Sequence, residues 1–174
     1  MDAPLGLESG TVRVAPYDDR WPKLFRVEAV RIAAALSPLT VQLEHTGSTA
    51  VPGLAAKPVL DILAGYEDAT LLDSLVAGFQ AAGYDHRGPQ GIPERQFFRR
   101  GQPRSYHVHL TAIDSQFWRD HLAFRDCLRA DPVLRAAYGA LKVELAGRHP
   151  SDREAYIEGK SAFVRAALDR ADGR

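Results

Sequence analysis

The segment PVLDILAGY (58–66) constrains the fold more than any other part of this 174-residue chain. It is almost continuously apolar, and short apolar runs bounded by proline and glycine are typical of a strand buried inside a sheet. A single carboxylate, Asp61, interrupts the run. Because burying a charged group without a partner is costly, Asp61 needs an ion pair, hydrogen bonds or a metal ion. We therefore expect Asp61 to face a cleft while Leu60 and Ile62 face the core.

Residue patterns on either side of this segment predict a mixed architecture. Residues 40–46 alternate apolar and polar side chains, as a half-buried strand does, whereas residues 69–82 carry apolar side chains at helical spacing. The segments ERQFFRRG (94–101) and RSYHVHLTAI (104–113) bracket a Gly-Gln-Pro turn and predict a β-hairpin. Beyond Ile113 the pattern becomes helical. We expect an α/β (α+β) fold, with a mixed β-sheet, flanking helices and a C-terminal helical segment.

The same patterns predict the domain organisation. Residues 1–10 contain glycine and proline and show little periodicity, so we expect a loose N-terminal tail. Residues 11–174 are expected to form a single domain. Its α/β part covers about 11–113 and its helical part about 114–172.

Composition narrows the class of protein. Apolar residues make up 45% of the chain and charged residues 25%, which is typical of a globular domain with a sizeable core. Lys+Arg and Asp+Glu balance at 22 each, which argues against a protein built to bind long nucleic acid. The single cysteine, Cys127, cannot form an internal disulfide. The N-terminal residues lack the pattern of a signal peptide and no window approaches a membrane span, so we expect a cytoplasmic protein without a membrane partner.

The tripeptide Gly47-Ser48-Thr49 lies between the first two predicted strands. A glycine lets an anion approach the backbone closely, and hydroxyl and N–H groups are the donors that a phosphate accepts from. Lys57 adds a positive charge between this turn and the strand that carries Asp61. The tripeptide alone is also compatible with an ordinary tight turn, and it is the presence of Asp61 that favours a phosphate site.

The spacing of these residues resembles a known signature. A Gly-Ser turn, twelve intervening residues and an aspartate inside an apolar strand are similar to the motif of the DNA polymerase beta-like nucleotidyltransferase superfamily. The longer string HTGSTAVPGLAAKPVLDI (45–62) closely resembles the GrpB family. The likeness extends to RQFFRRG, HVHL, ALKVELA and DREAYIEGKSAFV, and so covers nearly all of residues 12–168.

This resemblance implies a nucleotidyltransferase-like fold and an activity. The activity is metal-dependent transfer of a nucleotidyl group from a nucleoside triphosphate to an acceptor that the sequence does not identify. In the superfamily the Gly-Ser turn holds the nucleotide phosphates, which implies that role for Gly47 and Ser48, with Thr49 and Lys57 assisting. Asp61 would bind a divalent metal, with Mg²⁺ as the first expectation and Mn²⁺ or Zn²⁺ as alternatives.

The sequence departs from the superfamily pattern at one position. The second carboxylate expected two residues after Asp61 is replaced by Leu63. Because a single carboxylate is a poor Mg²⁺ site, we predict that Glu44, His107 and His109 complete the metal site with Asp61. The two histidines are separated by one residue and therefore point to the same face of a strand. Asp61, His107 and His109 are the predicted catalytic residues, with a histidine as metal ligand or general base. A polar strand face covered by the C-terminal helices is the alternative.

Basic residues later in the chain complete the predicted phosphate site. Arg95 in the predicted hairpin and Lys160 in the last predicted helix are expected to contact the ligand, although arginines that flank a hairpin also commonly protect a sheet edge. Three functions stay open at this point. They are a nucleotidyltransferase, a nucleotide- or phosphate-binding module that has lost transfer chemistry, and a metal-dependent phosphohydrolase that uses Asp61 with His107 and His109. The expected partner in each case is a nucleoside triphosphate or another phosphorylated small molecule.

Overall fold

The computed structural model describes residues 5–171 and is built around a five-stranded sheet. The strands are β1 (Gln42–Thr46), β2 (Leu60–Tyr66), β3 (Asp85–His86), β4 (Gln96–Arg100) and β5 (Tyr106–Ala112). The helices are α1 (Trp21–Leu36), α2 (Leu72–Ala81), α3 (Gln116–Ala130), α4 (Pro132–Arg148) and α5 (Arg153–Ala171). Short 3-10 turns cover Ser48–Ala50 and Ala69–Leu71.

The strand order of the sheet is β1-β2-β5-β4-β3. The central pair, β2 and β5, is parallel, and the other three pairs are antiparallel. The predicted mixed sheet and the predicted hairpin between β4 and β5 are therefore confirmed. The central position of β2 also explains its continuous apolar sequence, because both of its faces are covered.

One face of the sheet packs against α1 and α2. Ile62 and Val108 project from the two central strands into this layer and are fully buried. The other buried members of this core are Ile32, Leu36, Ala64, Leu75, Phe79, Tyr84, Phe98 and Leu110. The periodicity of α1 and α2 in the sequence thus corresponds to a real apolar face in each helix.

Helices α3, α4 and α5 cover part of the opposite face of the sheet. Gly65 allows α3 to lie directly on β2, because a Cβ added to it would come within 2.6 Å of the Trp118 ring. A second apolar cluster joins these helices to the loop before β2, through the buried residues Val51, Leu54, Leu128 and Tyr138. This packing leaves a cleft between the helices and the end of the sheet that carries Asp61.

The segment before α1 is attached to the domain. Leu7 is 4% exposed, and its N–H donates to the carbonyl oxygen of Arg104 at 2.9 Å. The described part of the expected loose tail is therefore packed at this point, while residues 1–4 lie outside the described residues. None of the helices in residues 5–171 combines the length and apolarity needed to cross a bilayer.

Candidate functional site

Strand register brings the predicted site residues together on one face of the sheet. Asp61 of β2 lies beside His107 of β5, and Thr46 of β1 lies on the other side of Asp61. His109 lies beside Leu63 in the same register. Side chains two residues apart on a strand point the same way, so the two histidines share the face of Asp61, as expected.

The Asp61 carboxylate is held by both histidines. Its Oδ1 lies 3.1 Å from Nδ1 of His107 and 3.5 Å from Nε2 of His109. Burial by itself would raise the pKa of Asp61, but the hydrogen bonds from the two histidines outweigh burial and hold this pKa well below its usual range. Asp61 is therefore ionised in the cleft, where 32% of its side chain stays exposed.

The tautomers of the two histidines follow from their partners. Nδ1 of His109 lies 3.4 Å from Nη1 of Arg95, and because a guanidinium cannot accept, Nδ1 accepts and Nε2 carries the proton that faces Asp61. In His107 the Nδ1–H faces Asp61, which leaves Nε2 as the acceptor. This Nε2 is buried and has no hydrogen-bond partner among residues 5–171. Burial also lowers the pKa of His107, so the neutral ring can accept a proton from a substrate hydroxyl.

Gly47 is the residue that brings the turn against Asp61. Its φ of 68° lies in the region that L side chains disfavour, and a Cβ added there would lie 2.6 Å from Oδ2 of Asp61. The hydrogen bonds within the turn are donated by Ala50 and Val51 to the carbonyl oxygens of Gly47 and Ser48. These bonds do not use the N–H groups of Gly47 and Ser48, which is the arrangement that an anion-binding turn requires.

Thr49 has a different contact from the one expected. Its Oγ1 lies 3.0 Å from Nε2 of His45, and the residue is buried. The His45 ring stacks on Phe25, and burial lowers its pKa to about 4, so the ring is neutral. The Thr49 hydroxyl thus ties the turn to β1, while Thr49 also lines the cavity beside Gly47 and Ser48.

Two lysines flank one aromatic ring in the cleft. Nζ of Lys57 lies 5.0 Å and Nζ of Lys160 lies 4.6 Å from the ring centroid of Tyr156, which is buried. Burial, together with repulsion from Lys160, lowers the pKa of Lys57 to about 8. Burial likewise lowers the pKa of Lys160 to about 8. An anion placed between these ammonium groups would be attracted to both.

A third lysine, Lys142 of α4, lies deeper in the cleft and is 2% exposed. Its Nζ donates to the carbonyl oxygen of Ala55 at 2.5 Å and lies 4.8 Å from the ring centroid of Tyr138. Burial lowers the pKa of Lys142 to about 6, and repulsion from Lys160 and Lys57 adds to the shift. A buried lysine with one carbonyl partner is a costly arrangement that an anionic ligand would stabilise.

These side chains line a cavity of about 710 Å³ between the sheet and the three C-terminal helices. This volume lies within the range of small-molecule sites. Among the described residues, two carboxylates line the cavity, Asp61 and Asp120. Its basic lining residues are Lys57, Arg95, Arg125, Lys142, Arg153 and Lys160.

The expected metal site needs more donors than these residues provide. Glu44 does not line the cavity, and its Oε2 pairs with Nη1 of Arg125 at 2.8 Å. Across residues 5–171, no group of three or more His, Cys, Asp or Glu side chains is arranged to hold a metal ion. Because Mg²⁺ prefers several oxygen ligands, the single carboxylate of Asp61 does not fit a Mg²⁺ site formed by the protein alone.

Comparison with known proteins decides the family of the chain. The family model described as GrpB protein matches residues 11–170. The chain belongs to the GrpB family. The UPF0157 protein PA4798 of Pseudomonas aeruginosa is 41% identical over 92% of this chain and 67% of its own length. The UPF0157 protein YqkA of Bacillus subtilis is 33% identical over 92% of this chain and 47% of its own length, so the chain spans about half of that relative.

Solved structures support the same assignment and extend it to the fold. The crystal structure of conserved protein GrpB from Enterococcus faecalis is 37% identical, has a TM-score of 0.84, and is matched over 91% of this chain and 96% of its own. The Cid1 poly(U) polymerase, solved with Mg 3'-dATP bound, has a TM-score of 0.56 at 12% identity, over 78% of this chain and 44% of its own. GrpB proteins such as this one thus have a distant structural resemblance to nucleotidyltransferases.

Most of the site residues predicted for this GrpB chain line the cavity. They are Gly47, Ser48, Thr49, Lys57, Asp61, Arg95, His107, His109 and Lys160. The C-terminal helices contribute further lining residues that were not among the predicted site residues, including Arg125, Tyr138, Lys142, Arg153 and Tyr156. A signal for them exists in the sequence, because α4 and α5 each carry a tyrosine followed four residues later by a lysine on the same helical face.

Proposed function

We propose that the cleft binds a phosphorylated small molecule of the nucleoside triphosphate class and holds its phosphates directly with basic side chains. The observation that carries this proposal is the charge of the cavity lining, in which six basic side chains face two carboxylates. Surfaces that concentrate positive charge in a low-dielectric cleft attract anionic ligands strongly. The Gly47 turn adds backbone donors at the point where this charge meets Asp61.

The apolar lining supports a ligand that carries more than phosphate. Phe117 and Phe124 of α3, Tyr138 of α4 and Tyr156 of α5 all line the cavity. Aromatic rings of this kind offer a stacking surface to a nucleobase or another planar group. The combination of cations and aromatic rings in one cavity fits a nucleotide better than it fits inorganic phosphate.

Calorimetric titration tests the proposal. We expect ATP, GTP, CTP or UTP to bind the wild-type protein, each titrated alone and with Mg²⁺, Mn²⁺ or Zn²⁺. Lys57→Gln should weaken binding by at least about tenfold, because a charge-assisted contact to a phosphate contributes on that order. Lys23→Gln is the matched control, since Lys23 is exposed and does not line the cavity. Absence of binding by every nucleotide, with and without metal, would overturn the proposal.

Nucleotidyl transfer is the second candidate, and the position of His107 favours it. Its buried Nε2 accepts a proton in the neutral ring, while Asp61 fixes the ring through Nδ1. His107 would take the proton of an acceptor hydroxyl, whose oxygen attacks the α-phosphorus and displaces pyrophosphate. The metal expected at Asp61, Glu44, His107 and His109 stays a prediction, which the metal arms of the titration measure.

The transfer candidate has its own assay. Labelled nucleoside triphosphates are incubated with the protein and cell extract, and pyrophosphate release is recorded. His107→Gln and Asp61→Asn should each abolish release while nucleotide binding persists, because neither substitution removes a lysine or arginine of the cleft. Release that continues in both variants would rule out this mechanism, and nucleotide binding without release in the wild type would leave the binding function alone.

A further inference from the structure

A second group of arginines adjoins the cleft from the hairpin side. Arg99 belongs to β4, Arg104 follows the turn of the β4–β5 hairpin, and Arg153 begins α5. Antiparallel pairing sets Arg99 opposite His107, and cross-strand partners of this kind project to the same face of a sheet. Positive charge therefore continues beyond the Asp61–His107 pair, away from the Gly47 turn.

These arginines have no anionic partner among the residues that the structure describes. The Nε atoms of Arg99, Arg104 and Arg153 are buried and make no hydrogen bond there. Other arginines of the chain behave differently, since Arg100 pairs with Glu28 at 2.5 Å. A buried guanidinium nitrogen without an acceptor is costly, so this group of three is arranged for a partner that the chain itself does not supply.

Mutual repulsion distinguishes the group from ordinary surface arginines. Burial lowers the pKa of Arg99 to about 10, and repulsion from Arg153 and Arg104 contributes to the shift. Burial also lowers the pKa of Arg104, again with a contribution from Arg153. The three charges therefore lie close enough to interact, and an anion between them would relieve both the repulsion and the missing hydrogen bonds.

The three arginines line two different cavities. Arg153 lines the main cleft, whereas Arg99 and Arg104 line a second cavity of about 610 Å³. Two carboxylates, Glu8 and Asp85, also line this second cavity, and Asp85 pairs with Arg87 at 3.2 Å. A ligand held at the Gly47 turn could thus extend past Arg153 to the hairpin.

We propose that Arg99, Arg104 and Arg153 form a second anion subsite, which binds a phosphate group of the ligand distinct from the one held at the Gly47 turn. The assignment of that group to the same ligand rests on the proposed function of the cleft. With this subsite, the preferred ligand carries phosphate groups at two places. We therefore expect polyphosphates to bind better than monophosphates.

Paired variants separate this subsite from the main site, with inorganic tripolyphosphate as the probe in calorimetry at constant ionic strength. Arg99→Gln and Arg104→Gln should each weaken binding by at least about tenfold, since each removes a charge-assisted contact to phosphate. Lys57→Gln probes the main site in parallel. Arg87→Gln is the matched control, because it removes the same charge from the neighbouring edge and Arg87 already has its partner in Asp85.

Each pattern of results gives a decision. Weaker binding in the hairpin variants and in Lys57→Gln supports both sites. An effect confined to Lys57→Gln overturns the subsite and leaves the proposed function intact, whereas an effect confined to the hairpin variants supports the subsite and counts against the main site. A wild type that does not bind tripolyphosphate, or a loss in Arg87→Gln equal to that in Arg99→Gln, overturns the subsite.

Thermal unfolding tests whether these arginines have only a structural role. Because none of the three has a carboxylate partner among the described residues, Arg99→Gln and Arg104→Gln should keep the thermal midpoint of the wild type or raise it. Should one of these variants fail to fold, the other still addresses the subsite without changing the main cleft, because Arg99 and Arg104 line the second cavity only.

Discussion

Proton uptake on ligand binding tests the electrostatics of the cleft most directly. Lys57 and Lys160 each have a pKa of about 8 in the ligand-free protein, so at pH 8 each is half protonated. A bound polyphosphate between them would return both groups towards the ordinary lysine pKa of about 10.4. Binding at pH 8 should therefore take up about one proton on these two lysines together, half of it on each, in addition to any proton taken up by Lys142, whose pKa is about 6.

The sign of the pH dependence follows from this uptake. Because the bound state holds more protons, the affinity falls as the pH rises through the pKa values of the ligand-free lysines. For a full return of both lysines to a pKa of about 10.4, the affinity falls about threefold from pH 7 to 8 and about 30-fold from pH 8 to 9. Ordinary arginines stay protonated over this range and phosphates stay ionised, so the steep limb reports on the lysines.

Calorimetry with ATP in two buffers of different ionisation enthalpy measures the proton uptake, and titrations at pH 7, 8 and 9 give the profile. Arginine at both positions keeps the charge at every pH, so a Lys57→Arg, Lys160→Arg double variant should take up about one proton fewer than the wild type at pH 8 and have a shallower profile. Lys23→Arg, at an exposed position of α1, is the control and should behave as the wild type. A wild-type affinity that does not change between pH 8 and 9, or a double variant that keeps the steep limb, would refute the reasoning.

Three other substitutions test packing and charges in the cleft and on the other face of the sheet. Gly47→Ala should destabilise the fold by about 1–3 kcal/mol in urea unfolding and abolish ATP binding, because a strained φ is combined with a collision at Asp61. Gly53→Ala has a φ of 78° with no atom within 4 Å, so it measures the strain of φ alone. Glu28→Gln should cost about 3–5 kcal/mol at neutral pH, because it leaves Arg100 without its buried carboxylate. Burial raises the pKa of Glu28, but its hydrogen bonds outweigh burial and hold the folded-state pKa below the usual 4.5. The stability that the wild type has over Glu28→Gln is therefore present at neutral pH and is lost as the pH falls through this folded-state pKa. Asp61→Asn should lower the pKa values of His107 and His109 in an NMR titration, because the Asp61 carboxylate raises both. Unchanged values would contradict the assigned contacts.

Local patterns were sufficient to predict the sheet but not the whole cleft. The apolar run around Asp61 and the alternation before the Gly47 turn report on burial of adjacent residues, which is a local property. The position of Lys142 depends on how α4 packs against the loop before β2, where its Nζ reaches Ala55. The periodicity of a segment does not predict how it packs against a segment distant in the chain. For this reason the sequence pattern does not identify the lysine on the apolar face of α4 as part of the site.

Glu44 is a second residue whose role depends on packing between segments that are distant in the chain. Its sequence position next to His45 and its place on the strand made it a reasonable supplement to Asp61. In the structure Arg125 of α3 takes this carboxylate and also donates to the carbonyl oxygen of His45. Arg125 comes from another element and pairs with Glu44, so that Asp61 is the carboxylate that stays available to a ligand. No local pattern predicts that pairing.

The absence of a second carboxylate and the excess of basic groups in the cleft are physically related. Leu63 is fully buried and lies beside His109, so a carboxylate at this position would carry a large desolvation cost. Within the central strands β2 and β5, Asp61 is the one carboxylate, and two histidines already hold it. A metal ion held by two carboxylates and a set of lysines and arginines have the same electrostatic role, since each places positive charge against a phosphate. Leu63 therefore removes one means of holding the proposed triphosphate, while Lys57 before β2 and Lys160 of α5 would supply another. The missing second carboxylate and the cations of the cleft together support the proposal that protein cations bind the phosphates directly.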